Sequence, residues 1–112
     1  MKVNYQFKSG VGVELEATNQ KEIFESLAML EEIFGVNQCE RCQGTSLKFV
    51  VREIDGNKYY ETHCCNTQCR ARLAFGSHKT GNTLFPKRKD DEGKWLKYGG
   101  WQIWDSVEKK MK

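Results

Sequence analysis

The sequence lacks any long apolar run, and this absence narrows the classes of protein that it can encode. No stretch of the 112 residues approaches the run of about eighteen apolar residues that a membrane-spanning helix needs. The segment 1–6 also lacks the apolar stretch of a secretory signal peptide. We therefore expect no membrane association and a cytoplasmic location.

Residues suited to catalysis are also scarce. The chain has two histidines, and it contains neither a nucleophile-elbow serine motif nor an H-E-x-x-H metal motif. The glycines of segment 76–81 have the spacing of a phosphate-binding loop, but Asn82 stands where that loop requires lysine, which argues against nucleotide hydrolysis. A nucleophilic pair of Cys65 with His63 or His78 is the catalytic alternative. We expect a non-catalytic protein.

Charge is unevenly distributed along the chain. Residues 1–38 contain three Lys and six Glu, whereas residues 39–112 contain fifteen Lys or Arg and nine Asp or Glu. The formal charges of the two parts are therefore −3 and +6. Because phosphate contacts dominate affinity for nucleic acids, the basic part favours a polyanionic partner. An ordinary solvated surface is the alternative interpretation.

Cysteine, in contrast, is abundant, and the cysteines fall into two groups. Cys39 and Cys42 form a C-x2-C pair, and Cys64, Cys65 and Cys69 form a second group further along the chain. A C-x2-C turn presents two sulfurs to one ion, and two such turns complete the tetrahedral shell of Zn²⁺. In a reducing compartment, clustered cysteines are more often metal ligands than disulfides. We therefore predict a zinc site.

Five cysteines compete for the four positions around the ion. The predicted ligands are Cys39, Cys42, Cys69 and either Cys64 or Cys65. We favour Cys64 because it continues the alternation of the preceding strand, which leaves Cys65 as a spare thiol. Either of the two histidines could replace a sulfur if the geometry required it.

The two cysteine groups and a β-hairpin predicted between them resemble a zinc ribbon over residues 36–76. The second group reads Cys64-x-Asn66-x2-Cys69-x-Ala71, which is similar to the C-x-N-x2-C knuckle of the small phage zinc fingers that activate late genes. That resemblance implies a regulator that grips duplex DNA.

Three further segments carry a looser resemblance. The stretches RARLAFG at 70–76, LFPKRK at 84–89 and GGW at 99–101 resemble parts of small zinc-ribbon proteins from phage recombination modules. Some of those proteins bind single-stranded DNA. This resemblance therefore implies a role in replication or recombination.

Residues 1–35 predict a β-hairpin followed by a helix. Apolar residues alternate with polar ones on both sides of a Ser-Gly turn, as in a hairpin with one buried face. Asn19 is a suitable helix N-cap with Glu22 as its reciprocal partner, and Gly35 is expected to end the helix after Phe34. The core stripe of the helix is expected to contain Ile23, Leu27, Leu30 and Phe34, widened by Phe24, Ala28 and Ile33. This ββα unit is predicted to be a scaffold, with a homodimer face as the alternative.

Basic and aromatic side chains are concentrated towards the C-terminus. Trp95 and Tyr98 lie beside lysines, and exposed rings interleaved with lysines can stack on the bases of a single strand at about 1–3 kcal/mol per base. Trp101, Ile103 and Val107 share one spacing and are expected to serve as core. The predicted nucleic-acid contacts are Arg70, Arg72, Lys79, Lys87, Arg88, Lys89, Trp95 and Tyr98.

Together these patterns predict a single α+β domain over residues 1–112. It comprises the ββα unit at 1–35, an antiparallel zinc ribbon at 36–76 and a basic, aromatic extension at 77–112, and a five-stranded barrel with an inserted zinc knuckle is the alternative fold. The predicted function is non-catalytic binding of single-stranded DNA in phage-type replication or recombination, in the host cytoplasm, with a homo-oligomeric or replication-protein partner possible. The alternatives are a zinc-ribbon regulator on duplex DNA and a protein–protein adaptor stabilised by structural zinc.

Overall fold

The computed structural model describes residues 1–79 and 82–111, and over these residues the fold is α+β, as predicted. The chain divides into two compact units, Met1–Asn37 and Gln38–Lys112. The prediction of a single domain stays a prediction. Gly81, the second glycine of the loop considered for phosphate binding, lies outside the described residues. No helix in the described part of the chain is long and apolar enough to cross a membrane.

The first unit is built from a hairpin and a helix. Strand β1 (Lys2–Gln6) pairs antiparallel with β2 (Gly12–Glu16), so that Val3 lies opposite Leu15. Helix α1 (Gln20–Phe34) follows. The predicted ββα order is confirmed.

Hydrogen bonds define both ends of α1. Asn19 Oδ1 accepts from the backbone N–H of Glu22 at 2.9 Å, as the side chain of an N-cap residue does. The Glu22 carboxylate accepts in return from the N–H of Thr18 at 3.0 Å, one residue earlier than in the usual capping box. At the other end, the N–H of Gly35 donates to Glu31 O at 2.9 Å, and Gly35 keeps a right-handed φ of −78°. The helix therefore ends at the expected glycine without a left-handed cap.

The core of the first unit is narrow. Phe7, Ile23 and Ile33 are buried, and the ring of Phe7 lies 6.3 Å from that of Phe34. Phe24, which was expected to widen the apolar stripe of the helix, is 76% exposed, so that expectation is wrong. A two-stranded hairpin can cover only a narrow strip of a helix, which explains why the stripe does not extend to Phe24.

The second unit contains the larger sheet. Strands β3 (Leu47–Ile54), β4 (Asn57–Cys64), β5 (Arg72–Ser77) and β6 (Leu84–Pro86) lie in that order and pair antiparallel, and β7 (Trp101–Gln102) also pairs with β5. Within the described residues β3 pairs only with β4, so this part of the chain forms an open sheet and not the alternative barrel.

A tight turn joins β3 to β4. Its two central residues, Asp55 and Gly56, have φ values of 52° and 82°. Positive φ at both central positions is typical of the type I′ turn, whose twist matches that of the two strands. The hairpin predicted between the cysteine groups is therefore confirmed.

The C-terminal part forms a small second hairpin. Strand β8 (Trp104–Asp105) pairs with β9 (Lys110–Met111). Val107 lies between these strands and is exposed, so the expectation that it belongs to the core is wrong. Trp101, in contrast, is buried as predicted, and its strand β7 pairs with β5 so that Trp101 lies opposite the buried Leu73.

The larger sheet has an apolar and a polar face because successive residues of a strand lie on opposite sides. A row of buried residues crosses the apolar face from Thr62 on β4 through Leu73 on β5 to Trp101 on β7. The opposite side, here called the polar face, carries Lys48, Arg52, Tyr59, Glu61, His63 and Arg72.

Candidate metal centre

Four cysteine sulfurs converge in the second unit. The Sγ atoms of Cys39, Cys42, Cys64 and Cys69 all lie within 4.8 Å of one another. The Sγ atoms of Cys39 and Cys69 are 3.8 Å apart, and those of Cys42 and Cys64 are 3.6 Å apart. A tetrahedral ion with metal–sulfur bonds of about 2.3 Å would hold its sulfurs about 3.8 Å from one another. The four cysteines therefore fit, and could hold, a tetrahedral metal ion.

The other candidate ligands lie outside this cluster. Cys65, the alternative fourth ligand, is exposed. The imidazole of His63 lies 2.7 Å from the Glu61 carboxylate, and the ring of His78 packs against that of Phe85. The structure thus brings Cys64, and not its neighbour or a histidine, to the other three cysteines.

The first cysteine pair lies on a tight turn, here called the first knuckle (residues 39–44). The N–H of Gln43 donates to Cys39 O, and the N–H of Cys39 donates to Gly44 O, each at 2.8 Å. Gln43 closes the turn with a positive φ of 62°. The N–H of Gly44 then lies 3.4 Å from Cys42 Sγ, where it can donate to a thiolate.

The second knuckle (residues 64–71) repeats this construction. The N–H of Cys64 donates to Ala71 O at 2.8 Å, and the N–H of Arg70 donates to Asn66 O at 2.9 Å. Arg70 has a positive φ of 54°, and it follows the last cysteine just as Gln43 does in the first knuckle. Both turns therefore continue from their last cysteine into a residue with positive φ, although their cysteine spacings differ.

The environment of the sulfurs separates their pKa values. The backbone hydrogen bond from Gly44 is the main cause that lowers the pKa of Cys42 to about 7. Burial raises the pKa of Cys64 to about 12, and it also raises the pKa of Cys69. Without an ion, Cys64 and Cys69 therefore hold protons at neutral pH, and a metal must displace them on binding.

Comparisons of the chain with protein-family models, with curated proteins and with solved structures gave no match. The resemblance to zinc ribbons therefore stays a prediction.

The first knuckle also holds an aromatic side chain. The guanidinium of Arg41, which lies between the two cysteines of this knuckle, sits 4.4 Å from the centroid of the Tyr98 ring. Its Nε donates to Trp101 O at 3.1 Å. Sequence patterns did not single out Arg41, because its partner lies far along the chain.

Glu40, the other residue between these cysteines, is linked through Arg88 to the segment that contains Tyr98 and Trp101. Its carboxylate lies 3.6 Å from Nη1 of Arg88, and that nitrogen donates to Gly99 O at 2.9 Å. No sequence pattern indicated these contacts either, because Arg88 lies far from Glu40 along the chain. Both middle residues thus connect the metal-binding turn to residues 97–101.

A second ring lies in the neighbouring loop. The ammonium of Lys89 sits 4.6 Å from the centroid of the Trp95 ring, and the two residues also form an isolated β-bridge. Trp95 is 72% exposed and Tyr98 is 48% exposed. We call the side chains of Arg41, Lys89, Trp95 and Tyr98 the cation–aromatic surface.

The remaining predicted nucleic-acid contacts are distributed over other parts of the second unit. Arg70 is exposed on the second knuckle, Lys79 is exposed after β5, and Lys87 is exposed beside Arg88. Arg72 lies half-buried on the polar face, and its Nη1 is 3.7 Å from the Glu61 carboxylate. The structure therefore gathers Arg88, Lys89, Trp95 and Tyr98 in one loop region and leaves Arg70, Arg72 and Lys79 outside it.

The choice between the two adjacent cysteines can be tested directly. We expect Cys64→Ser to lower metal affinity by more than about 100-fold, because changes outside the first coordination shell already cost about 10- to 100-fold. The matched variant Cys65→Ser should bind metal like the wild type. Competition with a zinc-loaded chromophoric chelator measures both, and equal losses in the two variants would contradict the assignment.

Metal affinity should also depend steeply on pH. The pKa values of Cys64 and Cys69 are raised, so each thiol releases a proton when the ion binds, and affinity must fall as the pH falls. We expect the apparent association constant to rise by at least about 100-fold per pH unit between about pH 6 and 7, which corresponds to two protons released. The same chelator competition, repeated across pH, measures this slope. A slope of one proton or less would show that fewer than two thiols are displaced.

Proposed function

We propose that the metal is zinc and that its role is structural. A set of four thiolates in tetrahedral arrangement selects zinc over harder ions such as Mg²⁺ and Ca²⁺, which prefer oxygen ligands. Four sulfurs also fill the shell of the ion. An ion held in this way supplies folding free energy and keeps no position for a substrate or an activated water.

We further propose that the protein binds single-stranded DNA through the cation–aromatic surface. The observation that supports this is the pairing of both rings of this surface with a cation: Trp95 with Lys89, and Tyr98 with Arg41. A cation covers at most one side of a ring, so an exposed ring can still stack on a base with its other side. The same cations can contact the phosphates on either side of a stacked base.

A single strand suits this surface better than a duplex. Bases inside a duplex are already stacked on one another, so they cannot stack on a protein ring without being extruded. The described part of the second unit also contains strands and a short 3-10 turn at Lys97–Gly100, and no α-helix that could enter a major groove.

The proposed zinc site and the proposed DNA surface are physically connected. Zinc would fix the first knuckle, and this knuckle carries Arg41, which contacts Tyr98 and the backbone of Trp101. The ion would thereby hold one of the two cation–ring pairs in place without touching the DNA. We assign the activity to phage-type DNA replication or recombination on the sequence resemblance alone.

The proposal predicts how aromatic variants bind a labelled poly-dT oligonucleotide. Wild-type, zinc-loaded protein should bind with quenching of tryptophan fluorescence and a steep salt dependence. Trp95→Ala should weaken binding by about 5- to 150-fold, since a stacked base contributes about 1–3 kcal/mol. Trp104→Ala is the matched control, because Trp104 is also exposed but lies on β8, outside the cation–aromatic surface.

Three outcomes of this titration would count against the proposal. Equal losses of affinity in the Trp95 and Trp104 variants would show that the cation–aromatic surface is not the DNA-binding site. Preferential displacement by duplex of equal length would favour a regulator on duplex DNA. Failure to bind either form, with zinc stoichiometrically present, would favour a protein–protein adaptor.

The adaptor is the second candidate, and one observation favours it. Phe24 lies 76% exposed on α1, a helix that also carries four glutamates and one lysine. An exposed aromatic ring in acidic surroundings suits a basic protein surface. In this alternative zinc stabilises the fold, and the partner is held elsewhere.

A further inference from the structure

The polar face of the larger sheet contains a buried carboxylate that neither the metal site nor the cation–aromatic surface uses. Glu61 lies in the middle of β4 and is 5% exposed. Burying an ionised carboxylate costs folding free energy unless the carboxylate is paired, so the partners of Glu61 are informative about its role.

Glu61 is surrounded by three basic side chains. Arg52 on β3 forms a bidentate pair with it: Nε donates to Oε1 at 2.9 Å, and Nη2 donates to Oε2 at 2.8 Å. His63 Nε2 lies 2.7 Å from Oε1, and Arg72 Nη1 lies 3.7 Å from the same oxygen. Burial alone would raise the pKa of Glu61, but the hydrogen bonds from Arg52 and His63 and the charge of Arg72 outweigh it and lower that pKa. The carboxylate is therefore ionised.

The cluster nevertheless carries excess positive charge. One carboxylate faces two guanidinium groups, both of which are always protonated. Lys48 lies opposite His63 on the same face and is exposed. It adds a further positive charge at the edge of this cluster. A cluster that served only to neutralise a buried acid would need one arginine and not two.

The two guanidinium groups remain partly accessible. The side chains of Arg52 and Arg72 are 37% and 24% exposed. Arg52 donates its Nε and Nη2 to Glu61, and its Nη1 has no hydrogen-bond acceptor within the described part of the chain. Arg72 donates its Nη2 to Met111 Sδ at 3.1 Å, which is a weak acceptor that a phosphate oxygen can outcompete. Each arginine thus has N–H groups available to a further anion.

An aromatic ring borders the cluster. The guanidinium of Arg52 lies 5.5 Å from the centroid of Tyr59, which is exposed on the same face near the end of the hairpin. A ring beside a fixed cation is the arrangement that also occurs in the cation–aromatic surface. The polar face therefore offers a single strand both a charge for its phosphate and a ring for a base.

We propose that the polar face is a second contact site for single-stranded nucleic acid, where Arg52 and Arg72 bind one backbone phosphate and Glu61 acts as the positioning residue, hydrogen-bonded to Arg52 and ion-paired with Arg72. This inference rests on the proposed function. Because Glu61 orients the Arg52 guanidinium before the strand arrives, little freedom of that side chain is lost on binding.

The decisive variant removes one charge of each sign. Arg52→Gln with Glu61→Gln leaves the net charge unchanged and leaves no buried carboxylate unpaired. We expect it to weaken poly-dT binding by about five- to tenfold and to reduce the salt slope, d log K/d log [salt], by about 0.7, the value for one phosphate contact on a single strand. Lys58→Gln is the matched control, because Lys58 lies on β4 on the other side of the sheet and its loss lowers the net charge by one. Binding by this control should stay close to that of the wild type.

Retention of wild-type affinity and slope by the double variant would overturn the second contact site and leave the proposed function standing. If the double variant loses bound zinc or its dispersed amide spectrum, Arg72→Gln replaces it, because Arg72 makes no short hydrogen bond to Glu61. Arg72→Gln should reduce the slope by a similar amount, and an unchanged slope would overturn the inference.

A second arm separates failure of this inference from failure of the proposed function. If wild-type protein binds no oligonucleotide, pyrophosphate is titrated while the side-chain Nε–H resonances of Arg52 and Arg72 are followed by NMR. Saturable shifts of these two resonances, absent for Arg70, would support a phosphate site on the polar face. Absence of such shifts would overturn the inference, whereas the proposed function would already have been overturned by the failure to bind the oligonucleotide.

Discussion

Two short turns from separate parts of the chain meet at four sulfur atoms, and the arrangement of the second unit depends on this meeting. The first knuckle precedes β3 and the second follows β4, so an ion shared by both closes the base of the β3–β4 hairpin. The apolar core beside it is small, with Ala71, Leu73, Phe75 and Trp101 as its buried hydrophobic members. A core of this size rarely stabilises a small unit without a metal or a partner. Metal–sulfur bonds would supply what the core lacks.

The same constraint reaches the surface through the residues between the first two cysteines. A bound ion would restrict Glu40 and Arg41, because it would hold the cysteine sulfurs on either side of them. Arg41 in turn contacts Tyr98, and Glu40 contacts Arg88, so the loop after β6 is fixed against the metal-binding turn. Binding by a preorganised surface loses less conformational entropy than binding by a free loop. A structural ion would therefore preorganise the surface that we propose for DNA without any contact with DNA.

Features that depend on local sequence could be predicted, and features that depend on distant contacts could not. The hairpin turn at Asp55 and Gly56 and the cap at Asn19 could be predicted because each is decided within a few residues. The convergence of the two cysteine groups could be predicted because one tetrahedral ion needs four ligands and each group supplies two. Neither the Arg41–Tyr98 contact nor the environment of Glu61 is indicated in this way. Both exist only after strands and turns have come together.

Side-chain alternation was informative about faces but not about partners. Arg72 does lie on the side of β5 opposite the apolar core, as its alternation with Leu73 indicates. Alternation could not show that Glu61 on the adjacent strand would face it, since strand register is set by the turn and the knuckles together. The misassigned Phe24 has a similar cause, because helical periodicity marks an apolar stripe but not how much of it a partner covers.

X-ray absorption at the zinc edge, on protein purified without added metal, tests whether four cysteine sulfurs hold a zinc ion. We expect one zinc per chain surrounded by four sulfurs at about 2.3 Å. A shell that contains nitrogen or oxygen at about 2.0–2.1 Å would contradict it, because a histidine or water would then hold a position assigned to a cysteine.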